Sequence, residues 1–306
     1  MALLNIPHPT RIPFIQWRWL SYVLSGVFIA FSLFFFAFKG LNYGIDFKGG
    51  VSVEIRLQSS PDLSDLRMRL GTALARDVSI QSFGSPQDLL IRIEKKDDLE
   101  GDGAAVLKIV KEVLPADVEY RQIETIGPKM GRELVRNGIV AVLASLIAML
   151  GYIWFRFEWR FGIAAFFALL NDCLWVFGLF SIFRLEFNET AIVAFLITAS
   201  YSINDTVVIF DRIRENKQKY QKLPLGEMIN LSINETLSRT ILTSATTLLA
   251  LAILYLFGGP TIASFSLPIF FGIAVGTYSS ICIASPLLMV FHKGTVTRQV
   301  NQNRPQ

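Results

Sequence analysis

Residues 20–38 read L-S-Y-V-L-S-G-V-F-I-A-F-S-L-F-F-F-A-F, a stretch without a single charge. A helix of about 20 mostly apolar residues crosses a hydrocarbon core of about 30 Å, so this stretch predicts a membrane span. Five further runs have the same character: Gly138–Phe155, Gly162–Phe183, Ala191–Phe210, Ile241–Phe257 and Ser266–Phe291. Over the 306 residues, 52% are hydrophobic and 18% charged, against about 25% charged in soluble domains. Disorder, a collagen-like fibre and an ordinary water-soluble enzyme are excluded. Arg11 and Arg18 precede the first run, with no small-residue cleavage site after it, which reads as an uncleaved span.

Lys and Arg in short connections set the orientation. With the N-terminus in the cytoplasm, Arg156 and Arg160 fall inside, as do Arg212, Arg214, Lys217, Lys219 and Lys222, and the tail residues Lys293, Arg298 and Arg304. The short outside loops carry Arg184 with Glu186 and Glu189, or the uncharged Gly258-Gly259-Pro260-Thr261. The organisation is then 1–40, N-terminus and first span; 41–136, an external domain; 137–292, spans two to six; 293–306, a cytoplasmic tail.

Within 41–136 the pattern is that of a folded α+β domain. Val51, Val53, Ile55 and Leu57 alternate as in a half-buried strand. Ser60-Pro61-Asp62 predicts a helix start with a capping hydroxyl, followed by Leu63, Leu66, Leu70 and Leu74 at helical spacing. Strands follow at Val78–Phe83 and Leu89–Glu94 around a Gly84-Ser85-Pro86 turn, then a helix over Asp102–Leu114 and a strand over Val118–Ile126. The order βαββαβ predicts a ferredoxin-like domain, which, having no cysteine, would rely on its core alone.

The chemistry is bounded by what is scarce. The histidines are His8 and His292, too few for a zinc triad or a Ser-His-Asp site. No Walker-A run is present. Cys173 and Cys282 lie inside apolar runs and read as packing thiols. Neither an enzyme activity, a cofactor nor a bound metal is expected.

Charges inside spans cost about 2.5–3.5 kcal/mol at a helix centre and so require a reason. Asp205 shares a helical face with Thr198 and Ser202 at i, i+4, i+7 spacing. Arg239 shares another with Thr243 and Thr246. Asp205 and Arg239 are placed to meet. One reading is a structural ion pair. The other is a carboxyl that loads and releases H⁺ or Na⁺, a nearby cation favouring its charged form and desolvation its neutral form. Asp172, beside Asn171 in the third span, is a secondary candidate whose plain reading is helix packing. Gly272 and Gly276 form a G-x-x-x-G packing face. The run Asp211-Arg-Ile-Arg-Glu-Asn216 reads as a basic anchor or a docking surface.

Further stretches stand out: Gly44-Ile-Asp46-Phe-Lys-Gly49-Gly50 directly after the first span, and Gly127–Gly131, Ser202–Asn216, Asn234–Ser244, Gly276–Ser280 and Ala284–Leu288. Together they resemble the SecF family of bacterial protein-export proteins, the first being similar to its G-I-D-F-x-G-G signature and the others to its later motifs. The resemblance implies the resistance–nodulation–division superfamily and six of the twelve spans of a SecD–SecF unit. It also implies cation coupling at Asp205 and Arg239, and use of the proton-motive force to help export preproteins in a bacterial inner membrane. Implied partners are SecD, SecYEG, preproteins, SecA, YajC- or YidC-type components and membrane lipids, with no nucleic acid. Many relatives have His-Asp where this chain has Asn171-Asp172. Thr198, Ser202 and Thr243 are expected beside the coupling pair, and Gly44, Asp46, Gly49 and Gly50 at a hinge between span and domain. A non-transporting assembly factor and a half-unit of a small-molecule or lipid exporter are the alternatives.

Overall fold

Chain order in the computed structural model runs α1 (Arg18–Lys39), β1 (Asn42–Tyr43), α2 (Ile45–Lys48), β2 (Gly50–Arg56), α3 (Leu63–Leu74), β3 (Val78–Phe83), β4 (Ser85–Glu94), α4 (Gly103–Val113) and β5 (Glu119–Ile126). It continues with α5 (Pro128–Arg156), α6 (Trp159–Phe183), β6 (Glu186–Phe187), α7 (Glu189–Lys219), α8 (Leu225–Phe257) and α9 (Gly259–Ser279), which passes into a π-helical turn, Ser280–Ala284. The structure describes residues 11–58, 61–76, 78–83, 85–94, 103–115, 118–126 and 128–291. His8, His292 and the tail from 293 lie outside them.

Six helices are long and apolar enough to cross a membrane: α1, α5, α6, α7, α8 and the run Ile262–Phe291 that α9 begins. The sequence expectation of six spans therefore holds, but the helices outrun their apolar centres. α8 starts at Leu225 and not at Ile241, because Ile229, Ile233 and Leu237 recur at helical spacing and are buried with Phe210 and Ile213 of α7. α6 and the last run are the most buried, whereas α1, α5 and α8 turn most of their surface outward.

Between α1 and α5 stands the predicted βαββαβ unit. Its strand order is β3-β4-β2-β5, every neighbouring pair antiparallel, which is the ferredoxin-like arrangement. Val53, Ile55, Leu89, Ile91 and Ile93 on one sheet face close on Leu70 of α3 and Val110 of α4. Two local expectations change. Asp62 caps α3, its side chain accepting from the Ser64 and Asp65 amides, and Ser60 lies outside the described residues. Ser85 and Pro86 belong to β4 and not to a turn, consistent with proline's tolerance near a strand's start.

The domain is seated on the bundle through short contacts. β1 pairs in parallel with β6, joining Asn42 to Glu186 and Tyr43 to Phe187. The Gly44 amide donates to Phe187 O at 2.9 Å, and Arg92 of β4 meets Glu186 at 2.6 Å. At the opposite end of the bundle, Phe157, Phe161, Phe210, Ile213, Ile229 and Ile233 form a second apolar core. Asn234 fastens the chain's beginning there, accepting from the Ile12 amide at 2.9 Å and donating to its carbonyl at 3.0 Å.

Candidate functional site

Where α6, α7, α8 and α9 meet, the bundle's interior is polar. Asp172 has no exposed surface and Asp205 has 3%. Ser202 Oγ donates to Asp172 Oδ2 at 2.5 Å, and Asn171 Nδ2 to Oδ1 at 3.1 Å. Asp205 Oδ2 accepts from Ser244 Oγ of α8 at 3.5 Å, and that hydroxyl lies 2.7 Å from Thr277 Oγ1. Ser280 Oγ donates to Ser202 O at 3.0 Å and sits 2.9 Å from Thr206 Oγ1.

Close helix approach makes this layer possible. A Cβ at Gly272 would collide with Thr198 Oγ1, and one at Gly276 would come within 2.9 Å of Ser202 Cβ. The G-x-x-x-G face thus admits the hydroxyl side of α7. Pro286, which has no N–H to give, stands two residues past the π-turn, a local widening found often at functional positions.

The sequence candidates divide into two groups. Thr198, Ser202, Asp205 and Asp172 all face inward and are buried. Arg239 and Thr243 face outward from α8; Thr243 Oγ1 donates to Arg239 O at 3.0 Å, its own helix's backbone. Arg239 interacts electrostatically with Asp205 without forming a direct ion pair with it. Ser244, one residue on and a third of a turn round, is the α8 side chain that reaches Asp205. Sequence reasoning passed over Ser244, Thr277, Ser279 and Ser280, whose signal was several hydroxyls concentrated in apolar spans.

In the basic run, Arg212 is engaged within the chain, meeting Glu235 and Glu215 at 2.7 Å each. Asn216 ties the same Glu235 to Ser232. At the domain end, Gly49 has φ 83, a backbone region that favours glycine, and Gly50 lies against Ile93 O so closely that a side chain would collide. Gly44 packs on Glu186. Asp46 lies in the one-turn α2 and acts on the same carboxyl. Burial pushes the Glu186 carboxyl above the ordinary glutamate range; Arg92 pulls it back, and Asp46 and Glu94 add to the rise.

Residues 105–294 match the family described as protein export membrane protein SecD/SecF, C-terminal, and residues 34–61 match the SecD/SecF GG motif. The protein translocase subunit SecF of Rickettsia bellii is 44% identical over 288 residues, covering 94% of this chain and 95% of that one. The chain belongs to the SecF family. The SecF subunit of Rickettsia rickettsii is also 44% identical, over 97% of this chain and 96% of its own. Among solved structures, SecDF from Thermus thermophilus, a translocon-associated membrane protein, superposes with a TM-score of 0.80 at 34% identity over 95% of this chain. SecDF in a super-membrane-facing form gives 0.72 at 33% identity over 96%. The chain spans 39% and 40% of those two longer chains.

Proposed function

We propose that this chain is the six-span SecF half of a SecD–SecF unit in a bacterial inner membrane, with both termini cytoplasmic. The unit uses the proton-motive force, or a Na⁺ gradient, to draw preproteins outward after SecA and the SecYEG channel have moved them. The observation that carries the reading is Asp205. This carboxyl is buried at a junction of three helices with a hydroxyl as its hydrogen-bond partner, one helix away from an outward-facing arginine.

Alternation between a protonated and a charged Asp205 changes what α7 asks of α8 and of Arg239. A difference in packing between the two halves follows, and the external domain moves with it. Ser200 and Asn204 of α7, with Thr243 and Thr246 of α8, are exposed on the outside of spans. A second polar-faced bundle such as SecD suits them better than lipid does. The glycines at 44, 49 and 50 act as the hinge between span and domain, and unchanged export by a Gly49→Pro, Gly50→Pro variant would remove that role.

The test is gradient-dependent preprotein export in vesicles holding this chain with SecD and SecYEG, wild type against Asp205→Asn. Loss of gradient stimulation with assembly intact supports coupling at Asp205. Export at the wild-type rate makes the aspartate structural and favours an assembly factor, a reading that draws on the interhelical hydroxyl contacts. Export of dyes or lipids by the chain would favour the small-molecule half-unit.

A further inference from the structure

α5 is the least buried of the six spans, yet near the domain it meets α7 and a groove opens beside the contact. A Cβ at Gly138 would collide with Ile192, so the two helices touch there. Val142 and Leu143 of α5 form one wall and Ile192 and Phe195 of α7 the other, with Tyr43 and Phe47 as the roof on the domain's side. The groove holds about 320 Å³, and Tyr43 carries the one polar side chain in its lining. Between Val135 and Leu143 it follows α5 for about 12 Å, close to the ~15 Å that one leaflet contributes to a hydrocarbon core of about 30 Å.

The rim is cationic. Arg132 stands three residues before Val135 and seven before Ile139, and Arg136 three before Ile139 and seven before Leu143. Those spacings put both on the groove's side of α5, whereas Glu133 falls on the opposite side. Both arginines are exposed, and neither has a hydrogen bond or ion pair among the described residues. Helical side chains lean towards the helix N-terminus, which carries both guanidinium groups from the groove towards the headgroup level.

We propose that this groove binds an anionic phospholipid of the leaflet on the domain's side. One acyl chain lies between α5 and α7, and the phosphate rests against Arg132 and Arg136. Arginine's planar fork matches phosphate oxygens, and two unpaired cations favour a headgroup whose phosphate charge is not cancelled by a cation of its own. A partner helix is the poorer occupant, because Ser200 and Asn204, the polar face that suits SecD, lie about a third of a turn round α7 from Ile192 and Phe195. The site also bears on the domain's seat. Tyr43 pairs with Phe187 in the β1–β6 ladder, their rings 6.1 Å apart and edge-on, and the Phe47 ring lies 5.8 Å from that of Phe187. A chain in the groove packs beneath these rings and steadies the ladder. The inference needs only a membrane around the chain and is independent of coupling at Asp205.

The test uses the full chain assembled with SecD in lipid nanodiscs. The probe is phosphatidylglycerol with a photoreactive diazirine on one acyl chain, and phosphatidylcholine with the same label is the control. Labelling should fall on residues 139–143 and 192–195, with phosphatidylglycerol well ahead. Arg132→Gln together with Arg136→Gln should cut that labelling by about tenfold or more and leave phosphatidylcholine unaffected. Val142→Trp, which fills the groove, should abolish labelling by either probe; where it fails to assemble, the arginine pair and the two probes on the wild type still decide. Hydrogen exchange at the Tyr43 amide should slow in phosphatidylglycerol discs, and a rate indifferent to the headgroup would remove the steadying role. Equal labelling by both probes, insensitive to the arginines, would be that of ordinary boundary lipid and would overturn the proposal. Absence of labelling with either probe overturns it too, and a crosslink from Ile139→p-benzoylphenylalanine to SecD would then make the occupant a protein.

Discussion

In the ferredoxin-like domain the fully buried side chains are Val53, Ile55, Leu70, Leu89, Ile91 and Val110, and its buried polar residues among those described are Ser52 and Asp88. In the helical bundle Asn171, Asp172, Thr198, Ser202, Asp205, Thr206, Ser244, Ser279 and Ser280 are all buried, while Leu20, Phe38, Ile147, Phe155, Leu249 and Leu256 lie open. The domain keeps oil within and polarity without, as water requires. The bundle turns apolar side chains outward as well, because its surroundings are themselves apolar, and beside its apolar core it keeps an interior layer where carboxyls and hydroxyls meet.

The contrast can be broken most forcibly at the α7–α9 contact. Gly276→Leu places a side chain where Ser202 already stands, and assembly of the bundle should fail, as read by co-purification with SecD. Normal assembly would mean the helices do not need their close approach. Next comes the domain core. Ile91→Ala should destabilise the domain by about 2–5 kcal/mol, the range for emptying a buried isoleucine site, while leaving the bundle intact; limited proteolysis with fragment mapping distinguishes the two. Arg92→Ala strands Glu186 in a half-buried position and should weaken the domain's seat by about 1–3 kcal/mol, read as faster hydrogen exchange at β1 and β6. The smallest effect is that of Glu186→Gln.

The sign at Glu186 follows from its raised proton affinity in the seated state. The contribution of this group is fully present below the ordinary glutamate value and is lost as pH rises through the raised one. Glu186→Gln removes that dependence, so the pH slope of seating in this window should flatten, with little change in seating at neutral pH. An unaltered slope would place the titration on another group.

Much of this plan was legible because each level of the sequence repeats one message. Six apolar runs marked the spans, and alternation followed by leucines at helical spacing marked the β2–α3 unit and its successors. Less legible were features that depend on a neighbour. Periodicity put Thr243 on the face of Arg239, yet it is Ser244 that reaches Asp205, since one residue turns a helix by about 100° and only the packing of α7 on α8 selects the angle. The burial of Asp172 was likewise invisible, for a lone aspartate in an apolar run carries no mark of how many helices surround it. The π-turn left Pro286 as its only trace. Helix lengths beyond the apolar centres, as at Leu225, are set by packing with α7 and the N-terminal segment and not by hydropathy.

The two-residue ladder between β1 and β6 fixes an order of events during synthesis. All four strands of the ferredoxin-like sheet lie between Gly50 and Ile126, so that sheet can be complete as soon as residue 126 is available. Its mooring is not, because Asn42 and Tyr43 wait for Glu186 and Phe187, which follow two whole helices later. A newborn chain therefore passes through a stage in which a finished domain is joined to α1 and then α5 without its ladder to the bundle, and the arrival of one short loop ends it.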